Sequence, residues 1–293
     1  MKRDAFASFH PLVNFLYFAA VIGFVMFFMH PACLVISMVN ALAYSLYLNG
    51  KKAVRVGLFY LLPMLIFTAL LNPLFNHRGA TILAYLPSGN PLTLESILYG
   101  IAAAVMLVTV IAWFSCFNAV ITSDKFIYLF GRVAPALSLI LSMSLRLVPR
   151  FKSQITVISD AQRGIGRDVF SGSLYQRAKH GIKILSILVT WALENAVETA
   201  SSMKSRGYGL PGRTAFLIFR FERRDALALG FIVACTVVVF AGAVSGAFQF
   251  RYFPTITGNI NWLYKITYLA LGAFPIILNI REDIIWRRIE PTS

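Results

Sequence analysis

Two short segments carry the residue types best suited to chemistry at a protein surface. They are Asp160-Ala161-Gln162-Arg163-Gly164-Ile165-Gly166-Arg167-Asp168 and Ser202-Met203-Lys204-Ser205-Arg206-Gly207-Tyr208-Gly209. Each reads as a helical stretch that runs into arginine and glycine. A planar guanidinium at a helix end can enter a partner's cleft and pair with carboxylates there. Glycine behind it lets the chain turn sharply and lets a partner's backbone approach. The same pattern also describes an ordinary helix C-cap, in which glycine takes the left-handed position and a cation complements the helix dipole. Spacing alone leaves both readings open.

Other chemistry finds little support. His10, His30, His77 and His180 are far apart and show no metal-ligand spacing, so no metal site is expected. His10 and His30 precede prolines at the edges of apolar runs and read as interfacial. Cys33, Cys116 and Cys235 are isolated in apolar runs and read as small buried side chains. Glu194 and Glu198 stand one helical turn apart, where they can pair with Arg177, Lys183 or Lys204. Gly207, Gly209 and Gly212 follow a helix, whereas a phosphate-binding loop precedes one. The chain is therefore expected to be no enzyme, to need no cofactor and not to hydrolyse ATP by the usual machinery.

The elements that must position the two segments follow from composition. Hydrophobic residues make up 58% of the 293 and charged residues 13%, yet the formal charge is +15. Such a chain belongs to the membrane class. Apolar runs at Leu12–Met29, Ala32–Leu48, Val56–Leu71, Ile97–Ile121, Ala226–Phe248 and Trp262–Ile280 predict about six spans. Val56–Leu71 is short, so its ends should extend into Arg55 or Asn72. Asn72–Thr93, with Pro73, Gly79, Pro87, Gly89 and Pro91, predicts a loop too broken for a helix. No cleavable signal peptide is expected ahead of the first run, which is too long for a signal core.

Sixteen of the 27 Lys and Arg lie in Thr122–Asp225, against seven acidic residues. Basic residues stay on the cytoplasmic side. Lys2, Arg3, Lys51, Lys52, Arg55 and the C-terminal Arg281, Arg287 and Arg288 fall on that same side, while the opposite loops hold Arg78 and Arg251. Three regions result: spans 1–4 in residues 1–121, a cytoplasmic insert in 122–225, and the last two spans with the tail in 226–293. Both termini are cytoplasmic in this reading. The excess charge beside membrane spans points to anionic lipid and a cytoplasmic partner, with no nucleic acid.

Within the insert, Phe126–Phe130 and Val133–Leu145 are apolar but too short to span, and Pro149 should kink or end their helix. A second helix is predicted from about Leu174 to Arg206, roughly 50 Å long at 1.5 Å per residue. Ala178, Ile182, Leu185, Val189, Ala192, Ala196, Ala200 and Met203 recur at helical steps. That row predicts a packing stripe, with Ala192, Ala196 and Ala200 allowing close helix contact.

Ser205-Arg206-Gly207 resembles the Ala-Arg-Gly coupling motif of the T component of energy-coupling-factor (ECF) transporters, a cobalt-transport Q-subunit-like family. The likeness extends to His10-Pro11, Asn72-Pro73-Leu74-Phe75, the Gly79–Thr81 loop, Thr93-Leu94-Glu95 with Tyr99-Gly100, Thr122-Ser123-Asp124-Lys125, and Ser142-Met143-Ser144-Leu145-Arg146-Leu147-Val148-Pro149-Arg150. These fall in family order along nearly the whole chain. The resemblance implies an all-α integral membrane protein, a non-catalytic scaffold of an ABC-type importer in the plasma membrane. Its implied partners are two cytoplasmic ABC ATPase subunits, which hydrolyse ATP, and a membrane S component, which binds the vitamin or transition-metal ion. It also implies that Ser205, Arg206 and Gly207 contact one ATPase. The first motif departs from the pattern: Gly164-Ile165-Gly166 stands where Ala-Arg-Gly is usual. Either Arg163 or Arg167 supplies the charge from a neighbouring turn, or the contact is apolar.

A stand-alone secondary transporter is the alternative, followed by an integral membrane enzyme. Span interiors nearly free of ionisable residues weigh against a proton- or ion-coupled carrier. Nor does the sequence contain the acidic clusters that a metal–diphosphate enzyme requires.

Overall fold

The structure is a computed structural model, and it describes residues 4–85, 91–131, 134–208, 210, 219–258 and 260–289. Side chains at 135, 136 and 287–289 are excluded from that description. The expectations placed on Lys2, Arg3, Pro87, Gly89, Val133, Gly209, Gly212 and the Arg287 and Arg288 side chains therefore lie outside the described residues.

Helices dominate, as an all-α membrane protein requires. They are α1 (Pro11–Phe27), α2 (Pro31–Asn49), α3 (Lys51–Val56), α4 (Leu62–Phe75), α5 (Leu94–Val120), α6 (Ser123–Gly131), α7 (Pro135–Gly164), α8 (Leu174–Ser205), α9 (Arg223–Val244) and α10 (Trp262–Ile289). Among the described residues, five helical stretches are long and apolar enough to cross a membrane: α2, α3 through α4, α5, α9 and most of α10. The 17 residues of α1 are apolar but shorter. A 17-residue helix is about 25 Å long, just under a hydrocarbon core of about 30 Å.

Local sequence explains where the helices start. Both α1 and α2 open on His-Pro. Proline at the first helical position has no N–H to leave unsatisfied. The preceding histidine uses Nδ1 to accept from the backbone two residues on, His10 from Leu12 at 3.3 Å and His30 from Ala32 at 3.2 Å. The interfacial histidines are helix caps.

The third span outgrows its apolar run in both directions. It covers Lys51–Phe75, with a π-type turn at Gly57–Leu61 and Pro73 inside its last turn. The widened turn precedes Pro63, whose ring would otherwise press on the carbonyl four residues back. Among the described residues of this span only Pro73 is buried.

One expectation about breaks needs correction and another is narrowed. The segment after the third span is not all loop, because Ile82–Tyr85 pairs antiparallel with Pro91–Thr93. Arg78 and Thr81 are tied to Thr93 and Glu95 around a buried carboxylate. Glu95 accepts from the Thr81 hydroxyl at 2.8 Å and from its N–H at 3.2 Å, while the Thr93 hydroxyl donates to the Arg78 carbonyl at 2.8 Å. Of the two outcomes open at Pro149, a kink or an end, the helix does not end there; α7 runs on to Gly164. Proline deprives one carbonyl of its donor, here that of Leu145. Leu145 is exposed, so solvent can satisfy that group.

The chain divides into two compact units, one of Met1–Lys125 with Phe219–Ser293 and one of Phe126–Ile218. In the first, the core centres on Trp113 of α5, fully buried among Tyr17, Phe18 and Tyr44. Its indole N–H donates to the Ser37 hydroxyl at 2.9 Å, and the Tyr17 hydroxyl donates to the Gly272 carbonyl at 3.1 Å. Buried polar groups need such partners. Small residues set the helix spacing, as membrane bundles require. A Cβ on Gly100 would lie 2.8 Å from the Ala69 carbonyl of α4.

Candidate functional site

The second unit carries both sequence-predicted motifs, at the ends of its two long helices. Its α8 starts where a capping box predicts, since the Ser173 hydroxyl accepts from the Gln176 N–H and the Gln176 side chain accepts from the Ser173 N–H. It runs 32 residues to Ser205, about 48 Å. The two helices pack on each other, with the Phe151 ring edge-on to Trp191 at 5.9 Å and the Arg150 guanidinium 5.3 Å from the Trp191 ring centre.

Both helix ends close in the same way. At the end of α8 the Tyr208 N–H donates to the Met203 carbonyl and the Gly207 N–H to the Lys204 carbonyl, each at 3.0 Å. At the end of α7 the Arg167 N–H donates to the Gln162 carbonyl at 2.9 Å and the Gly166 N–H to the Arg163 carbonyl at 3.0 Å. This is the Schellman pattern, which needs one residue in the left-handed region. Gly207 at φ 78° and Gly166 at φ 75° supply it. Capping thus accounts for both glycines.

Capping does not account for the residue before each glycine. Superposing the two closures puts Arg206 and Ile165 at one station, Ser205 with Gly164 and Lys204 with Arg163. Arg206 (φ −84°, ψ 8°) and Ile165 (φ −101°, ψ 21°) adopt like backbones. Both side chains are exposed, Ile165 by 62%. Arg206 makes no ion pair among the described residues, and the Ser205 hydroxyl turns back onto its own helix at the Ser202 carbonyl, 3.0 Å away.

The first end holds a charged pair of its own. Arg163 Nε lies 3.6 Å from Asp168. The Phe170 N–H at 3.1 Å, the Ser171 hydroxyl at 3.1 Å and the Arg163 charge hold Asp168 below the usual carboxylate range. The loop is closed further by Arg177, whose Nε donates to the Val169 carbonyl at 2.9 Å. Nothing in the spacing of the motif identified Asp168 as the organiser of this loop. The start of α8 did have a legible signal, the Ser173-x-x-Gln176 pattern.

The sheltered side of α8 is rotated from the expected stripe. Ile184, Leu188, Trp191, Ala192 and Asn195 are buried or half-buried. Of Ala192, Ala196 and Ala200 only Ala192 lies on that side; Ala196 and Ala200 are exposed with Ile182, Leu185 and Val189. The indole of Trp191 offers far more area than any alanine, and it turns the helix toward α7. Glu194 and Glu198 form no ion pair among the described residues. No cluster among the described residues could hold a metal ion.

Known proteins are similar to this chain in sequence. The family described as CbiQ, cobalt transport protein, matches residues 7–216. The energy-coupling factor transporter transmembrane protein EcfT of Streptococcus thermophilus is 29% identical over 212 residues, 67% of this chain and 80% of that protein. EcfT of Lacticaseibacillus paracasei is 38% identical over 101 residues, 34% of this chain and 38% of its own length. EcfT of Lactococcus lactis subsp. cremoris is 36% identical over 104 residues, 35% and 39% of the two chains. The chain thus spans about two-fifths of the length of these last two curated relatives. With the family match running from just ahead of α1 through both helix ends, the chain belongs to the CbiQ cobalt transport protein family.

Proposed function

We propose that this protein is the transmembrane coupling subunit of an ECF-type importer. It carries no catalytic site in this reading; two cytoplasmic ATPases hydrolyse ATP and a separate membrane subunit binds a vitamin or transition-metal ion. The helix unit lies on the cytoplasmic side of the plasma membrane, because residues 122–225 hold sixteen basic against seven acidic residues.

One observation carries the proposal. Two helix ends of the same closure hold an exposed side chain at the same station, and one of them is a guanidinium with no internal ion pair among the described residues. Such a group is ready to pair with carboxylates on a partner. Ser205 and Gly207 complete the second contact, the glycine by turning the chain away behind Arg206. At the first contact Ile165 occupies the station, flanked by Gly164 and Gly166. The contact there is apolar at the station itself; Arg163 lies beside Asp168, and Arg167 follows the turn glycine instead of preceding it. An ATPase groove that receives Ile165 differs in chemistry from one that receives Arg206, so the two ATPase partners are unequal.

Transport follows from differential contact. Two ATPases that close on ATP and part on hydrolysis bring the two helix ends through different positions, and only such a difference can be transmitted. Co-purification of the ATPases with Arg206→Glu tests the assignment. The membrane helices should stay folded while ATPase association and ATP-driven uptake are lost; wild-type association would sink it. Orientation is tested in a cysteine-free background. Ser173→Cys should resist labelling from outside intact cells, while Ser88→Cys, outside the described residues, should label. The reverse result would invert the topology.

A further inference from the structure

Four buried polar side chains of the first unit, Asn14, Lys125, Asp225 and Asn279, converge on one short segment, residues 4–10, which precedes α1. It is moored at its start. Asp4 accepts from the Asn279 amide of α10 at 2.6 Å and from the Tyr44 hydroxyl of α2 at 2.9 Å, and the Ala5 N–H donates to Asn279 at 2.7 Å. Phe6, fully buried, inserts among Tyr17, Phe18 and Phe274.

The rest of the segment meets the two stems by which the chain leaves and re-enters the unit. On the outgoing stem, Lys125 is 6% exposed. Its ammonium donates to the Ala7 carbonyl at 2.5 Å and the Val120 carbonyl at 3.0 Å. The Asn14 amide, oriented to give its N–H to the Phe6 carbonyl, presents its oxygen to the same ammonium at 2.9 Å. On the returning stem, the Arg224 guanidinium donates to the Ser8 carbonyl at 3.4 Å and sits 5.4 Å from the Phe9 ring centre. Asp225, 1% exposed, accepts from the His10 N–H at 3.1 Å and from the Glu222 N–H at 2.9 Å.

The Ala7 and Ser8 carbonyls and the His10 N–H are thus taken by the two stems. A lysine ammonium has three protons, and Lys125 places each on an oxygen. Burial of that ammonium nonetheless lowers its pKa to about 8, Asp4 opposing the shift. A cation is retained there because neutral side chains of the same length cannot hold three oxygens.

We infer that residues 4–10 form a strap that locks the outgoing and returning stems together, with Lys125 and Asp225 as positioning residues that pin one stem each. The chain then leaves and re-enters the first unit through one rigid joint instead of two independent tethers. The strap stands on contacts within the first unit, whether or not the helix ends meet ATPases.

The test uses the full chain in lipid nanodiscs, without native cysteines, spin-labelled at Ser123→Cys and Arg220→Cys on the two stems. Lys125→Met and Asp225→Asn should each widen the stem-to-stem distance distribution. Each should also speed amide exchange of residues 4–10 roughly tenfold or more, the size expected for losing a hydrogen bond to a charge. Tyr44→Phe, which loosens the mooring and touches neither pin, should do the same to a lesser degree. Trp113→Phe removes a core hydrogen bond in the same unit and should lower stability with the distribution unchanged. A narrow distribution in both pin variants would overturn the strap, as would equal widening in Trp113→Phe.

Discussion

The ends of α7 and α8 share a backbone and differ in what they present. Each closes with the same pair of carbonyl–amide bonds around a left-handed glycine. One offers Arg206 with no ion-pair partner among the described residues. The other offers Ile165 beside an Arg163–Asp168 pair that closes its own loop. The difference separates frame from message. Glycine and the carbonyl ladder make the frame, and any sequence that ends a helix this way obtains it. The residue before the glycine carries the message, because the frame needs only its backbone.

Charge reversal at that station breaks the comparison most sharply. Arg206→Glu should cost about 2–5 kcal/mol of partner binding, the range for a buried interfacial charge. Arg163→Glu should cost less, since Arg163 is already engaged, and Ile165→Arg should weaken binding by setting a cation in an apolar groove. Pull-down of the ATPases with each variant measures the order. Equal losses for Arg163→Glu and Arg206→Glu would return the coupling charge to Arg163.

The helix between the two ends offers a second contrast. Ala192→Arg places a charge on the sheltered side of α8 and should destabilise the unit by several kcal/mol, on the order of 3. Ala196→Arg falls on the exposed side and should leave the unit's stability within about 0.5 kcal/mol. Thermal unfolding of both variants decides which side packs. A loss of complex assembly in Ala196→Arg alone would mean that a partner covers the exposed row.

The smallest expected loss among the predicted disruptions tests the shared frame. Gly166→Ala and Gly207→Ala should each cost about 1–2 kcal/mol, the penalty of a Cβ in the left-handed region. Gly207→Ala should cost slightly more, because its Cβ would lie 3.1 Å from a Leu210 methyl whereas that of Gly166 meets open space. Helix stability by circular dichroism checks both. A free substitution at either position would remove the common closure.

Much of this was readable from local pattern. The apolar row and the Arg-Gly end placed α8 at Leu174 to Arg206, within a residue of the helix, and the capping box at Ser173 fixes its start. The two His-Pro pairs marked where α1 and α2 begin. At Pro149 the pattern left a kink or an end open, and the helix runs on because an exposed helix can give the freed carbonyl to solvent. For the alanine row, periodicity finds a stripe without saying which neighbour each part of it meets, and within this unit Ala192 is sheltered while Ala196 and Ala200 are exposed. Trp191 settled that by its size.

Sequence alone therefore determined the membrane class, the order of the helices and the two closures that end α7 and α8. Each depends on composition or on residues within about one helical turn of one another. Only tertiary structure decided which side of α8 is sheltered and that Lys125 and Asp225 meet residues 4–10. Ala5 and Asn279 stand 274 positions apart and Lys125 stands 118 from Ala7. Bonds of that range are selected by packing, where a buried ammonium or carboxylate must find its partners wherever the fold brings them.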